Sequence, residues 1–93
     1  MVRVFARAKS KPGDVDALRD VLRKLVAASR AEEGVVTYDL FESADGTFLF
    51  REEYADDAAF EKHKTSRHIA VAVGRATPLM DGLLDVWVVK AVE

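Results

Sequence analysis

The chain contains no cysteine and no asparagine in its 93 residues. Without cysteine there are no disulfides, thiolate nucleophiles or thiolate metal sites, and a reducing compartment suits the chain. Long apolar runs are missing too. The first residues, MVRVFARAKS, alternate apolar with polar side chains. That is the pattern of neither a secretory leader nor a membrane span, so a cytoplasmic protein with no membrane partner is expected. No basic block stands out, and 14 basic against 16 acidic residues leave a net charge of −2. A nucleic-acid surface calls for a basic face, so no nucleic-acid partner is expected. There is no glycine-rich phosphate loop and no nucleophile elbow. Ser10, Ser29, Ser43 and Ser66 stand outside any triad context, which argues against nucleotide chemistry and covalent hydrolysis.

What is present is a chain 49% hydrophobic, too apolar for disorder and sufficient for one small domain, residues 1–93, with a limited core. VRVFARAK (2–9) sets Val2, Val4, Ala6 and Ala8 on one face and Arg3, Phe5, Arg7 and Lys9 on the other, which predicts a strand. Pro12-Gly13 marks a turn, and Asp14 is placed to cap a helix. Val15, Leu18, Leu22, Leu25, Val26 and Ser29 recur at helical spacing. They predict an amphipathic helix of about 18 residues, stopped by Gly34. VVTYDLFES (35–43) and TFLFREEYA (47–55) read as two strands joined by an Asp-Gly hairpin turn at 44–46. Asp56 caps a short helix, DAAFEKHK, and Ser66 a second one, RHIAVAVGRATPLM. Asp81-Gly82 turns the chain into a last strand, LLDVWVVKAVE.

The order β-α-β-β-α-α-β suggests an α+β, ferredoxin-like fold: one antiparallel sheet covered by helices on one side. A sheet with one wet face should alternate cleanly between apolar and polar residues. The last strand does not. Leu84, Val86 and Val88 lie on one of its faces and Trp87, Val89 and Ala91 on the other. Exposing that second face would leave a large apolar patch. A symmetric homodimer packed through the sheet faces removes it.

Four stretches together resemble the antibiotic biosynthesis monooxygenase family: VRVFARAKSKPGD, EEGVVTYDLFESAD, FLFREEYADDAAFEKHKTSRH and the closing apolar strand. The likeness spans essentially the whole chain and implies a dimeric α+β barrel. Family activities implied by it are oxygenation of quinols and polyketide anthrones without metal or flavin, haem degradation, and isomerisation of a small phosphorylated sugar. Haem degraders resemble one another in a first-strand asparagine and a histidine that falls at Val73 here. Both are missing, so haem is disfavoured and molecular oxygen is expected to act without a cofactor. The family often carries tryptophan where this chain has Tyr54.

Both histidines lie in HKTSRH, five positions apart. On one continuous helix they would point about 140° apart. A break at Thr65-Ser66 would let both rings approach one cavity mouth. With no cysteine and no acidic partner at ligand spacing, no metal is expected there. His63 and His68 are the candidate catalytic bases, because imidazole exchanges protons near neutrality. Tyr38 and Tyr54 are candidate hydrogen-bonding catalytic groups, or simply core aromatics. Glu52 and its neighbour Glu53 must point to opposite faces. Glu52 would face inward and seek a donor such as Arg51 or Arg7, as a substrate-binding group or an interface ion pair. Phe5, Phe50, Phe60 and Trp87 are the candidate apolar lining for a flat aromatic. The function expected is a cofactor-independent monooxygenase acting on a phenolic, quinol or polyketide aromatic. The alternatives are an isomerase of a small carbonyl compound and a non-catalytic ligand-binding dimer.

Overall fold

The computed structural model describes all 93 residues. Its elements are β1 (Val2–Lys9), α1 (Val15–Arg30), β2 (Val35–Glu42), β3 (Thr47–Tyr54), α2 (Asp57–Lys64), α3 (Arg67–Ala76), a 3-10 turn (Thr77–Leu79) and β4 (Asp85–Val89). The strands form one antiparallel sheet in the order β2-β3-β1-β4, the ferredoxin-like arrangement expected from the element order. The helices pack on one side of it, so the molecule measures 37 × 32 × 18 Å.

Alternation decides which side chains meet the helices. Val4, Ala6 and Ala8 of β1 and Phe48, Phe50, Glu52 and Tyr54 of β3 are all buried. They meet Leu18, Leu22, Leu25 and Val26, the apolar stripe of α1. The opposite face carries Arg3, Phe5, Arg7, Leu49, Arg51 and Glu53, with Asp39 and Phe41 of β2 and Trp87 of β4 in register beside them.

Several boundaries differ from expectation. Helix α1 ends at Arg30 rather than running to Gly34. Gly34 instead takes φ +90° and opens β2. Asp14 precedes α1 but its side chain makes no capping bond. Asp56 and Ser66 do cap, accepting from the backbone N–H of Ala59 and Ile69. The last helix stops at Ala76, and Pro78 sits in the tighter 3-10 turn after it. Proline fits the first turn of a helix and not its interior. The last strand is shorter than read, five residues.

Candidate functional site

A cavity of about 580 Å³ lies between the inner face of the sheet and α3. Its existence follows from side-chain size. Ala6 and Ala8 on β1 face Ala72 and Ala76 on α3, and all four line it. Methyl groups on both sides cannot fill the gap that larger residues would close. The remaining wall is mostly apolar, including Val4, Leu22, Phe50, Phe60 and Ile69. The ionisable side chains on it are Tyr38, Glu52, His63 and Lys64.

His63 is held from several directions. It sits in the last turn of α2, buried, with the Tyr38, Tyr54 and His68 rings around it at centroid distances of 5.3, 5.3 and 5.9 Å. Its Nδ1 lies 2.8 Å from the Glu32 Oε2. A carboxylate only accepts, so Nδ1 carries a hydrogen, and in the neutral ring Nε2 is the acceptor. Nε2 points towards the Tyr38 hydroxyl, 3.5 Å away. Carboxylate, imidazole and phenol thus form a chain that ends in the cavity.

Glu32 comes from the turn between α1 and β2, and local backbone geometry puts it there. After α1 ends, the Glu32 N–H donates back to Ser29 at 3.0 Å. Gly34, at positive φ, packs so tightly on α2 that a Cβ would lie 2.7 Å from that of Ala59. Its carbonyl accepts from Ala55 N–H at 2.8 Å. The segment is clamped against the start of α2, and its carboxylate reaches the other end of that helix. Sequence periodicity places Glu32 in the last turn before the helix stop at Gly34 and gives it no role, although it stands in EEGVVTYDLFESAD, one of the stretches that carry the family likeness. The contact with His63 spans 31 positions, which no local periodicity reports.

The break at Thr65-Ser66 is real. The Ser66 hydroxyl donates to the His63 carbonyl at 2.7 Å and accepts from Ile69 N–H at 3.3 Å, ending α2 and starting α3 together. The two imidazoles converge on one carboxylate, since His68 Nε2 lies 3.4 Å from the same Glu32 oxygen. Only His63 lines the cavity. His68 opens into a separate shallow groove between α1 and α3, with Val21, Lys24, Arg67 and Arg75.

Glu52 faces inward as expected, but its donor is neither Arg51 nor Arg7. The Tyr54 hydroxyl donates to it at 2.5 Å. Burial still dominates and pushes the Glu52 carboxyl up to about 7. Burial likewise raises both phenols well above the ordinary tyrosine range, helped by Glu52 in each case. Tyr38 and Tyr54 therefore stay protonated as donors. Tyr54 stands behind the wall, its ring 5.0 Å from that of Phe60, and does not line the cavity. Phe50 and Phe60 do line it. Phe5 and Trp87 do not. They are cross-strand neighbours on the far face of the sheet, as the alternation of β1 requires.

Residues 1–75 match the antibiotic biosynthesis monooxygenase family. The chain belongs to that family. YcnE of Bacillus subtilis, provisionally named a monooxygenase, is 35% identical over 88 residues, covering 92% of this chain and 93% of YcnE. A solved antibiotic biosynthesis monooxygenase superposes with a TM-score of 0.92 at 30% identity, covering 100% of both chains. Rv0793 of Mycobacterium tuberculosis superposes at 0.91 with 31% identity, covering 99% of this chain and 95% of its own. The monooxygenase-family match takes in Glu32, Tyr38, Glu52 and His63. It stops before Leu83, Leu84 and Val86, which line the cavity from the β4 side.

Proposed function

We propose that this family member is a cofactor-independent monooxygenase of phenolic, quinol or anthrone-like aromatics, with His63 as its base. The observation that carries it is the Glu32–His63–Tyr38 chain, which opens on an apolar cavity. An oriented imidazole whose acceptor nitrogen meets only a long 3.5 Å contact from Tyr38, in an apolar pocket, is what deprotonation of a weak carbon or phenol acid needs. His63 removes a proton from the substrate, and the anion passes one electron to O2. Superoxide and substrate radical combine at carbon. The imidazolium returns its proton to the peroxide. At an anthrone carbon, loss of the second C–H proton with O–O cleavage leaves a carbonyl and one water. Tyr38 donates to the oxyanion, while Glu32 keeps His63 in one tautomer and steadies its positive form. The working unit is a dimer with the outer sheet faces stacked, which covers Phe5, Phe41, Leu49 and Trp87, each roughly half-exposed in one chain.

Oxygen uptake by metal-free protein with dihydroxynaphthalenes and anthrones tests this. Turnover is expected, and His63→Ala should lower kcat about 10²- to 10⁴-fold. No uptake across the panel, or full activity in His63→Ala, would overturn it. Turnover that persists without oxygen would favour the isomerase reading. Altered ligand affinity with no turnover at all would favour the ligand-binding dimer.

A further inference from the structure

We propose that Glu32, His63 and His68 form a binding site for a divalent transition-metal ion of the zinc type, and that occupancy switches off the base. The carboxylate and the two imidazoles offer one ligand atom each, all within 4.8 Å of one another. One Glu32 oxygen lies 2.8 Å from His63 Nδ1 and 3.4 Å from His68 Nε2. Ligand atoms on a tetrahedral zinc ion lie about 3.3 Å apart, given bonds of about 2.0–2.1 Å. The cluster reaches that spacing if the Glu32–His63 contact opens by about half an ångström and His68 moves inward by up to about 1.5 Å.

A second observation points the same way. His68 Nε2 is buried and makes no hydrogen bond, although it faces the carboxylate. A buried ring nitrogen that stands 3.4 Å from a carboxylate oxygen without a hydrogen bond to it calls for an explanation, and a metal ion between the two supplies one. The donor set selects the ion. Two imidazoles and one carboxylate with no thiolate favour Zn²⁺, Co²⁺ or Ni²⁺, and imidazole disfavours Ca²⁺ and Mg²⁺. Sequence spacing carries no hint of the site, because histidines five apart are wrong for a single helix and Glu32 is remote. The capped break at Ser66 places the two rings, and the Gly34 clamp places the carboxylate. Lys24, Arg67 and Arg75 around the His68 groove oppose a cation, so affinity in the micromolar range is expected.

Occupancy has a direct chemical consequence. A metal on Nδ1 displaces the hydrogen that Nδ1 gives to Glu32, and neutral imidazole then keeps its hydrogen on Nε2. The lone pair that faces the cavity is lost. This second step rests on His63 being the base, as proposed above. Metal binding itself does not.

The test titrates chelator-treated full-length protein with Co²⁺, follows the visible d–d absorption, and then displaces the cobalt with Zn²⁺. One ion per chain is expected, with affinity at least about tenfold weaker in His68→Ala and in Glu32→Gln, both checked for folding by thermal melts. In the oxygen-uptake assay, Zn²⁺ should inhibit at the concentration at which it displaces cobalt, and His68→Ala should raise that concentration by the same factor. No stoichiometric binding at about 1 mM metal, or equal affinity in wild type and both variants, overturns the site. Binding with undiminished oxygen uptake overturns the switch. Should no substrate turn over, the cobalt titration still decides the site.

Discussion

The two faces of the sheet use the same strands for opposite purposes. On the inner face, cross-strand rows run through Tyr38, Glu52 and Val4, and through Leu40, Phe50 and Ala6. Polar atoms there are few, and each matters because burial shifts it: the Glu52 carboxyl and both phenols move up. On the outer face, charges pair with opposite charges one strand away. Arg3 meets Glu53 at 3.0 Å, Arg7 meets Asp85 at 2.9 Å, and Arg51 meets Asp39 at 2.7 Å. Aromatics fill the spaces between, with Arg51 5.8 Å over the Phe41 ring. One face encloses an apolar cavity with a buried imidazole on its wall. The other neutralises itself, which suits contact with an identical surface.

The largest expected departure between the faces is at Phe48, fully buried on the inner one. Phe48→Ala should cost about 3–5 kcal/mol in denaturant unfolding, transfer and cavity terms together. A cost below about 1 kcal/mol would mean that the inner face is loosely packed.

Glu52 gives the next effect, and its sign is fixed by linkage. The folded carboxyl holds its proton to about pH 7, the unfolded one only to about 4.3. The stabilising contribution is complete below the unfolded value and is lost as pH rises through the folded one. It is worth about 4 kcal/mol. Glu52→Gln should remove this slope, so that the variant gains on the wild type between about pH 4.5 and about pH 8. Parallel stability curves for the two proteins would show that Glu52 is not desolvated.

The smallest effect on a single folded chain is at Trp87, 49% exposed on the outer face. Trp87→Glu should change the stability of the monomer by no more than about 0.5 kcal/mol. It should also shift sedimentation at micromolar concentration from dimer to monomer. An unchanged dimer would show that partners meet elsewhere.

Some of this is legible in the sequence and the rest is not, for physical reasons. Period-two alternation in β1 and β3 assigns every residue to a face, and that pattern alone sets Phe5 opposite Ala6. Expecting Phe5 and Trp87 in a pocket runs against that assignment. The break between the histidines is local, a serine cap, and can be read. Glu32 and the Tyr54–Glu52 bond are tertiary or side-chain events with no periodic signature. The cavity is a deficit of volume shared between β1 and α3. It becomes visible only when the two runs of alanine are brought face to face.

The segment from Gly82 to Val86 leaves a turn at φ +88° and supplies Leu83, Leu84 and Val86 to one side of the cavity. It bears none of Tyr38, Glu52, His63 and Lys64, the ionisable groups on the cavity wall. One wall of the cavity and its ionisable groups are thus supplied by different lengths of polypeptide. Substitutions at Leu83 and Leu84 should alter which molecules the cavity admits while Glu32, His63 and Tyr38 keep their contacts.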